Sequence, residues 1–188
     1  MSQLDFLRTL ARYNSWANGE VIAAVRALPP GEATRERPSL FPTIVRTFNH
    51  PLVTDRMWWA HLHGQPNPHK ALNEVLHEDF EELAAARAEM DGRIVAYADA
   101  LTEKLAEHMV DFTLVSGVPG TLSRGMMLMH MINHSTYHRG FLVDLFCQIP
   151  APMPTTDLPV FMRGASGLTG LPPHLKPVAW TPVATAAE

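Results

Sequence analysis

The chain has one cysteine, Cys147, among 188 residues. A single thiol cannot form an internal disulfide, so the fold must rest on its core, and a reducing compartment suits it. Long apolar runs are missing as well: nothing approaches the roughly 20 apolar residues of a membrane helix. The opening residues, MSQLDFLRTL, lack a basic segment followed by an unbroken apolar one. They do not read as a signal peptide, and a cytoplasmic location is expected. No basic patch is interleaved with aromatics and the formal net charge is −4. That argues against a nucleic-acid partner. The length suits one domain with a buried core and a tail.

Histidine, by contrast, is plentiful: there are 10, most of them in two zones, residues 50–77 and 130–138. The densest stretch is HMINHSTYHRG, His130 to Gly140, where His130, His134 and His138 are spaced four apart. Residues four apart share a helix face about one turn apart, and two neutral imidazoles so placed can bind one divalent ion. The stretch is flanked by Met126, Met127, Leu128 and Met129 before it and by Phe141, Leu142, Leu145 and Phe146 after it. A polar stripe in such a helix is either a hydrogen-bonded core feature or a metal site. Three ligands at i, i+4 and i+8 would span about 12 Å at ~1.5 Å rise per residue. That is too long for one ion bound at about 2 Å. At most two adjacent members of the trio therefore share a metal, and a third ligand must come from elsewhere. His50 leads, because mid-helix among apolar residues an unpartnered imidazole costs desolvation; His130 competes. His61, His63, His69 and His77 read as surface residues, and Cys147, after Leu145-Phe146, reads as an inert core thiol.

Hydrophobic spacing predicts a helix over residues 3–28, capped by Ser2 and ended by Pro29-Pro30-Gly31. A second should start near Ser39 or Pro42 and run to His63, ending at Gly64, with Pro51 an awkward, kinking residue inside it. A third is expected from about Asn73 to His108, in one or two pieces. VDFTLV, residues 110–115, reads as a short strand or hairpin before a fourth helix capped by Thr121 or Ser123 and stopped by Pro150. Eight of the 16 prolines fall in residues 150–188, so an irregular tail follows, with one helical turn at Leu158–Arg163. The fold class is all-α. The expectation is a four-helix bundle over residues 1–158, with the extended segment before the last helix and a partly packed C-terminal extension over 159–188.

Three motifs stand in order: Tyr13-Asn14-x-Trp16-Ala17-Asn18; Asn49-His50 with Asp55-Arg56-Met57-Trp58; and His130-x-x-Asn133-His134-x-x-Tyr137-His138-Arg139-Gly140. Together they resemble the DinB-like (damage-inducible) metalloenzyme family, which includes bacterial thiol-dependent S-transferases. The similarity spans about residue 3 to Leu158. The resemblance implies a four-helix bundle, frequently a homodimer, with a divalent metal held by His50, His134 and His138 and with His130 as a neighbour. One departure is Phe141, where the family commonly has Gln after His-Arg-Gly.

Three neutral imidazoles would leave the ion its full +2 charge, which lowers the pKa of a bound thiol or water. The leading expectation is a stress or detoxification enzyme that passes a low-molecular-weight thiol to an electrophilic small-molecule substrate, as the family's S-transferases do. A metal-dependent hydrolase is the alternative, although no carboxylate lies between His134 and His138, so this is not the HExxH arrangement. Asp55 or Asp144 would have to reach the site. A non-catalytic metal-binding stress or scaffold protein is the third reading. Zinc and nickel lead among the metals imidazole suits. Trp16 and Asn18 could line a pocket, Tyr137 could donate a proton and Arg139 could bind an anion.

Overall fold

The computed structural model describes residues 2–164. Each long helix starts where a short polar side chain can satisfy the free amides of a first turn. Ser2 caps α1 (Gln3–Arg26) in a capping box with Asp5, and Thr43 caps α2 (Ile44–Leu62). Asp79 caps α3 (Phe80–Ala100), and Thr102 caps the short α4 (Glu103–Glu107). The strands β1 (Met109–Thr113) and β2 (Pro119–Ser123) pair antiparallel, with Met109 opposite Ser123 and Thr113 opposite Pro119. Ser123 then caps α5 (Arg124–Cys147), and α6 (Leu158–Gly164) follows an irregular stretch. The described residues are thus mostly helical, an all-α chain with one small hairpin.

Helix ends have local causes too. Gly64, at φ 63°, ends α2: its amide donates to the His61 carbonyl and the Gln65 amide donates to that of Ala60. Only glycine takes that left-handed turn without strain. Pro51 removes the amide that would bond to the Thr47 carbonyl, yet α2 is one element through it. The third helix is shorter than its spacing suggests. Glu74 accepts from the Lys70 and Ala71 amides and Asn49 from those of Leu76 and His77, so side chains hold residues 70–77 out of a helix. At its other end Leu101 is extended, which separates α3 from α4.

The four long helices share one apolar core. α1 packs on α3 and α5, and α2 packs on α5 and α3. Leu7, Val21, Ile44, Leu52, Leu83, Ile94, Met127, Met131 and Leu145 are among its buried residues. A second cluster seats Phe161 of α6 against Tyr13 and Trp16 of α1, where the Tyr13 hydroxyl also donates to the Thr156 carbonyl at 2.8 Å. Three residues differ from expectation. The His69 side chain is tucked in against Glu74 rather than at the surface. Cys147 is exposed, because it falls on the solvent side of the chain while Leu145, Phe146 and Ile149 face the core, with its Sγ 3.8 Å from Met153 Sδ. His61 is buried, because its face of α2 packs among Trp58 and Phe112. No described helix is long and apolar enough to cross a membrane. The expected tail beyond residue 164 lies outside the described residues.

Inside the core runs a chain of polar side chains. Arg87 of α3 donates to Asp55 of α2 at 2.7 Å and meets Asp91 at 3.0 Å. Asn14 and Asn18 of α1 donate to Asp91. Their carbonyl oxygens accept from Arg139 of α5 at 2.6 and 2.9 Å. Two carboxylates and two guanidiniums thus sit together in the interior, each no more than 3% exposed. Burial pushes the Asp55 carboxyl up to about 6, with Arg87 pulling against it. Breaking a buried pair leaves an uncompensated charge and costs about 3–5 kcal/mol. Arg87→Met is therefore expected to lose about that much stability in urea denaturation. Arg26→Ala, which removes the exposed pair with Glu81, should leave the urea midpoint almost unmoved.

Candidate metal centre

His50 lies in the middle of α2, and His134 and His138 lie one turn apart on α5. The packing of α2 on α5 brings the three rings together. Centroids are 5.1 Å apart for His50 and His134, 4.3 Å for His50 and His138, and 4.4 Å for His134 and His138. One nitrogen from each lies within 4.8 Å of the others, so the group could hold a metal ion. Among the described residues this is the one such group of histidine, cysteine or carboxylate side chains. His130 is one turn further out, 5.6 Å from the His134 ring, and lies against Trp58 at 4.6 Å.

The surrounding groups set the rings up as ligands. The Leu72 carbonyl is 2.7 Å from His50 Nδ1. A carbonyl only accepts, so Nδ1 carries the proton and Nε2 keeps its lone pair. Thr54 does the same for His134. Its hydroxyl hydrogen has the carbonyls of His50 and Pro51 to bond to, so its oxygen is free to accept from His134 Nδ1 at 3.2 Å. Such contacts fix tautomer and orientation in metal-binding histidines. His138 Nδ1 is buried with no hydrogen-bond partner. A buried nitrogen left without a partner is costly, and a bound ion offers this group what the protein does not.

Protonation also favours a ligand role. Burial first, then mutual repulsion of the rings, pushes His134 down to about 3, and burial with His50 nearby pushes His138 to about 4. Burial lowers His50 as well. All three are neutral at pH 7, as ligation requires.

The other candidate residues are placed as follows. Trp16 packs on Tyr13 and Phe161 at the α6 contact. Asn18 and Arg139 belong to the buried polar chain, and Arg139 also donates to Thr136 at 2.7 Å. Asp55 is buried against Arg87. Tyr137 is exposed, with its ring 5.0 Å from that of His138. Sequence reading missed Phe41, stacked on His50 at 4.8 Å, because its loop carries no periodic signal. It also assigned no role to Asn49. That side chain binds the backbone of Leu76 and His77 and so anchors the loop that brings Leu72 to His50. Its place beside His50 in the sequence was the available hint.

A groove of about 530 Å³ lies beside the cluster, lined by Ser39, Leu40, Tyr137, Gly140, Phe141 and Asp144. Tyr137 and Phe141 both pack against the His138 ring.

Residues 1–174 match the model of the DinB family. The chain is also similar to Protein DinB of Bacillus subtilis (strain 168), at 27% identity over 164 residues, covering 84% of this chain and 94% of that protein.

Tag-free protein is expected to carry about one divalent ion per chain by elemental analysis, and His50→Ala and His134→Ala to lose it while helical circular dichroism persists. Acid should also act on the metal-free fold. An unfolded histidine takes up a proton near pH 6.5, whereas folded His134 and His138 resist until about 3 and about 4. Between those values the unfolded chain binds more protons, so these groups destabilise the fold as pH falls below 6.5. The melting temperature of metal-free His134→Leu, relative to the parent, should accordingly rise as pH drops from 7 to 4.

Proposed function

The chain belongs to the DinB family, and from that premise we propose a metal-dependent enzyme that activates a small-molecule thiol for S-transfer to an electrophile. The observation that carries this reading is a neutral, all-imidazole group next to an aromatic groove. His50, His134 and His138 would hold a divalent ion, with zinc or nickel first. Bound there with its full charge, the ion would favour the thiolate over the thiol. Leu72 and Thr54 hold two of the rings in the tautomer that leaves a nitrogen free. Phe41 covers His50, and Phe141, Tyr137 and Leu40 supply apolar surface for the electrophile. In the transfer the thiol gives up its proton, a carbon–sulfur bond forms, and the leaving group departs with its bonding pair. Phe141 favours a flat or apolar electrophile, since it cannot hydrogen-bond one. This reading takes the four long helices as a four-helix bundle and the protein as a cytoplasmic homodimer with a detoxifying or stress role.

A hydrolase is the second reading, favoured by one observation. Asp144 lines the groove, where a carboxylate can act as general base.

Metal-loaded protein, a panel of low-molecular-weight thiols and chlorodinitrobenzene form the test. We expect thiol loss well above that caused by the free ion, abolished in His138→Ala. Phe141→Ala should raise KM for the aromatic electrophile more than it lowers kcat. Thiol consumption no faster than with the ion alone would sink the transferase reading. Ester hydrolysis lost in Asp144→Asn would replace it.

A further inference from the structure

A separate cavity of about 380 Å³ lies between the end of α2, the middle of α3 and the loop after α2. Arg56, Trp59, His69, Glu89, Met90 and Arg93 line it. None of these belongs to the histidine group or its groove. Arg56 follows His50 by six residues, which turns it to another face of α2.

The polar groups here are incompletely satisfied. Arg56 is half-buried, and among the described residues it has no hydrogen bond or ion pair. Withdrawing a guanidinium from water without a partner is costly. Arg93 spends one nitrogen on Glu89 at 2.6 Å and keeps its other donors. The His69 side chain is 9% exposed, and its Nδ1 is 2.8 Å from Glu74. The other Glu74 oxygen accepts from the Lys70 and Ala71 amides, so that carboxylate is an acceptor and holds the proton on Nδ1. His69 Nε2 is left buried without a partner. Beside these groups lie the indole of Trp59, which also packs on Tyr97, and the side chain of Met90. Planar guanidinium forks match carboxylate and phosphate oxygens, and an aromatic face with a thioether suits a flat apolar body.

We propose that this cavity is a second ligand site, for a small organic anion whose carboxylate or phosphate is held by Arg56 and whose flat apolar part lies against Trp59. Arg93 adds charge at the rim, and the His69 ring forms part of the wall. The net positive lining, two guanidiniums against Glu89, selects a singly or doubly charged headgroup over a neutral molecule.

The test titrates full-length, metal-loaded protein with benzoate and, separately, with inorganic phosphate at pH 7, followed by heteronuclear NMR. The expected result is a saturable shift of the Trp59 indole and His69 ring signals with at least one of the two. Arg56→Gln should weaken that binding about tenfold or more, as loss of a charged hydrogen-bond pair does, and Arg26→Gln should leave it unchanged. If Arg56→Gln does not fold, Arg56→Lys takes its place. It keeps the charge without the fork and should weaken binding at least threefold. Trp59→Leu should weaken benzoate more than phosphate. Absence of saturable shifts with both anions, or equal affinity in the Arg56 variant and the parent, would overturn the proposal.

Discussion

The architecture depends on the buried polar chain from Asp55 through Arg87, Asp91, Asn14 and Asn18 to Arg139. It touches all four long helices. Apolar packing tolerates small slides between helices, because one methyl contact substitutes for another. A desolvated charge does not, since each must meet its partner within hydrogen-bonding distance or bear the full cost of burial. The chain therefore sets register where the apolar core leaves it loose. Arg139 directly follows His138, and successive helix residues point about 100° apart. Anchoring Arg139 on α1 turns His138 toward α2. Asp55, anchored on Arg87, similarly limits the rotation of the helix that carries His50.

With the helices set, the loop between α2 and α3 finishes the histidine group. Asn49 bonds to three backbone groups of Leu76 and His77, and this holds Leu72 where its carbonyl receives the His50 proton. The same loop carries His69 and Glu74 to the Arg56 cavity. One loop thus contributes to both the histidine group and the Arg56 cavity. In each, an imidazole is oriented through its Nδ1, His50 by the Leu72 carbonyl and His69 by Glu74.

Much of this was legible in the sequence. Four-residue spacing put His134 and His138 on one face, and the length of an i, i+8 step removed His130 from any ion they share. Ser2, Gly64, Ser123 and Pro150 mark helix ends because capping and left-handed turns depend on a residue and its near neighbours. The third ligand could only be ranked, since a histidine on a different helix meets the pair through a packing that spacing does not encode. Family resemblance, and then the packing of α2 on α5, joined His50 to the others.

What the tertiary structure alone decided were the partners of polar side chains far apart in the chain. Asn14 and Asn18 read equally well as pocket residues or as side chains that are solvated or bonded to neighbouring helices. They proved to be links between Asp91 and Arg139. Asp55 read as a base that could reach the site, yet Arg87 holds it in the core. Cys147 read as buried because its neighbours are apolar, and it is exposed because it falls on the solvent side while Leu145, Phe146 and Ile149 face the core. The sequence by itself determined local geometry: where helices start and stop, and which histidines share a face. Those properties depend on interactions within about one helical turn. Which charge meets which, and which nitrogen is left free, depends on how helices remote in sequence pack, and only the assembled fold decides it.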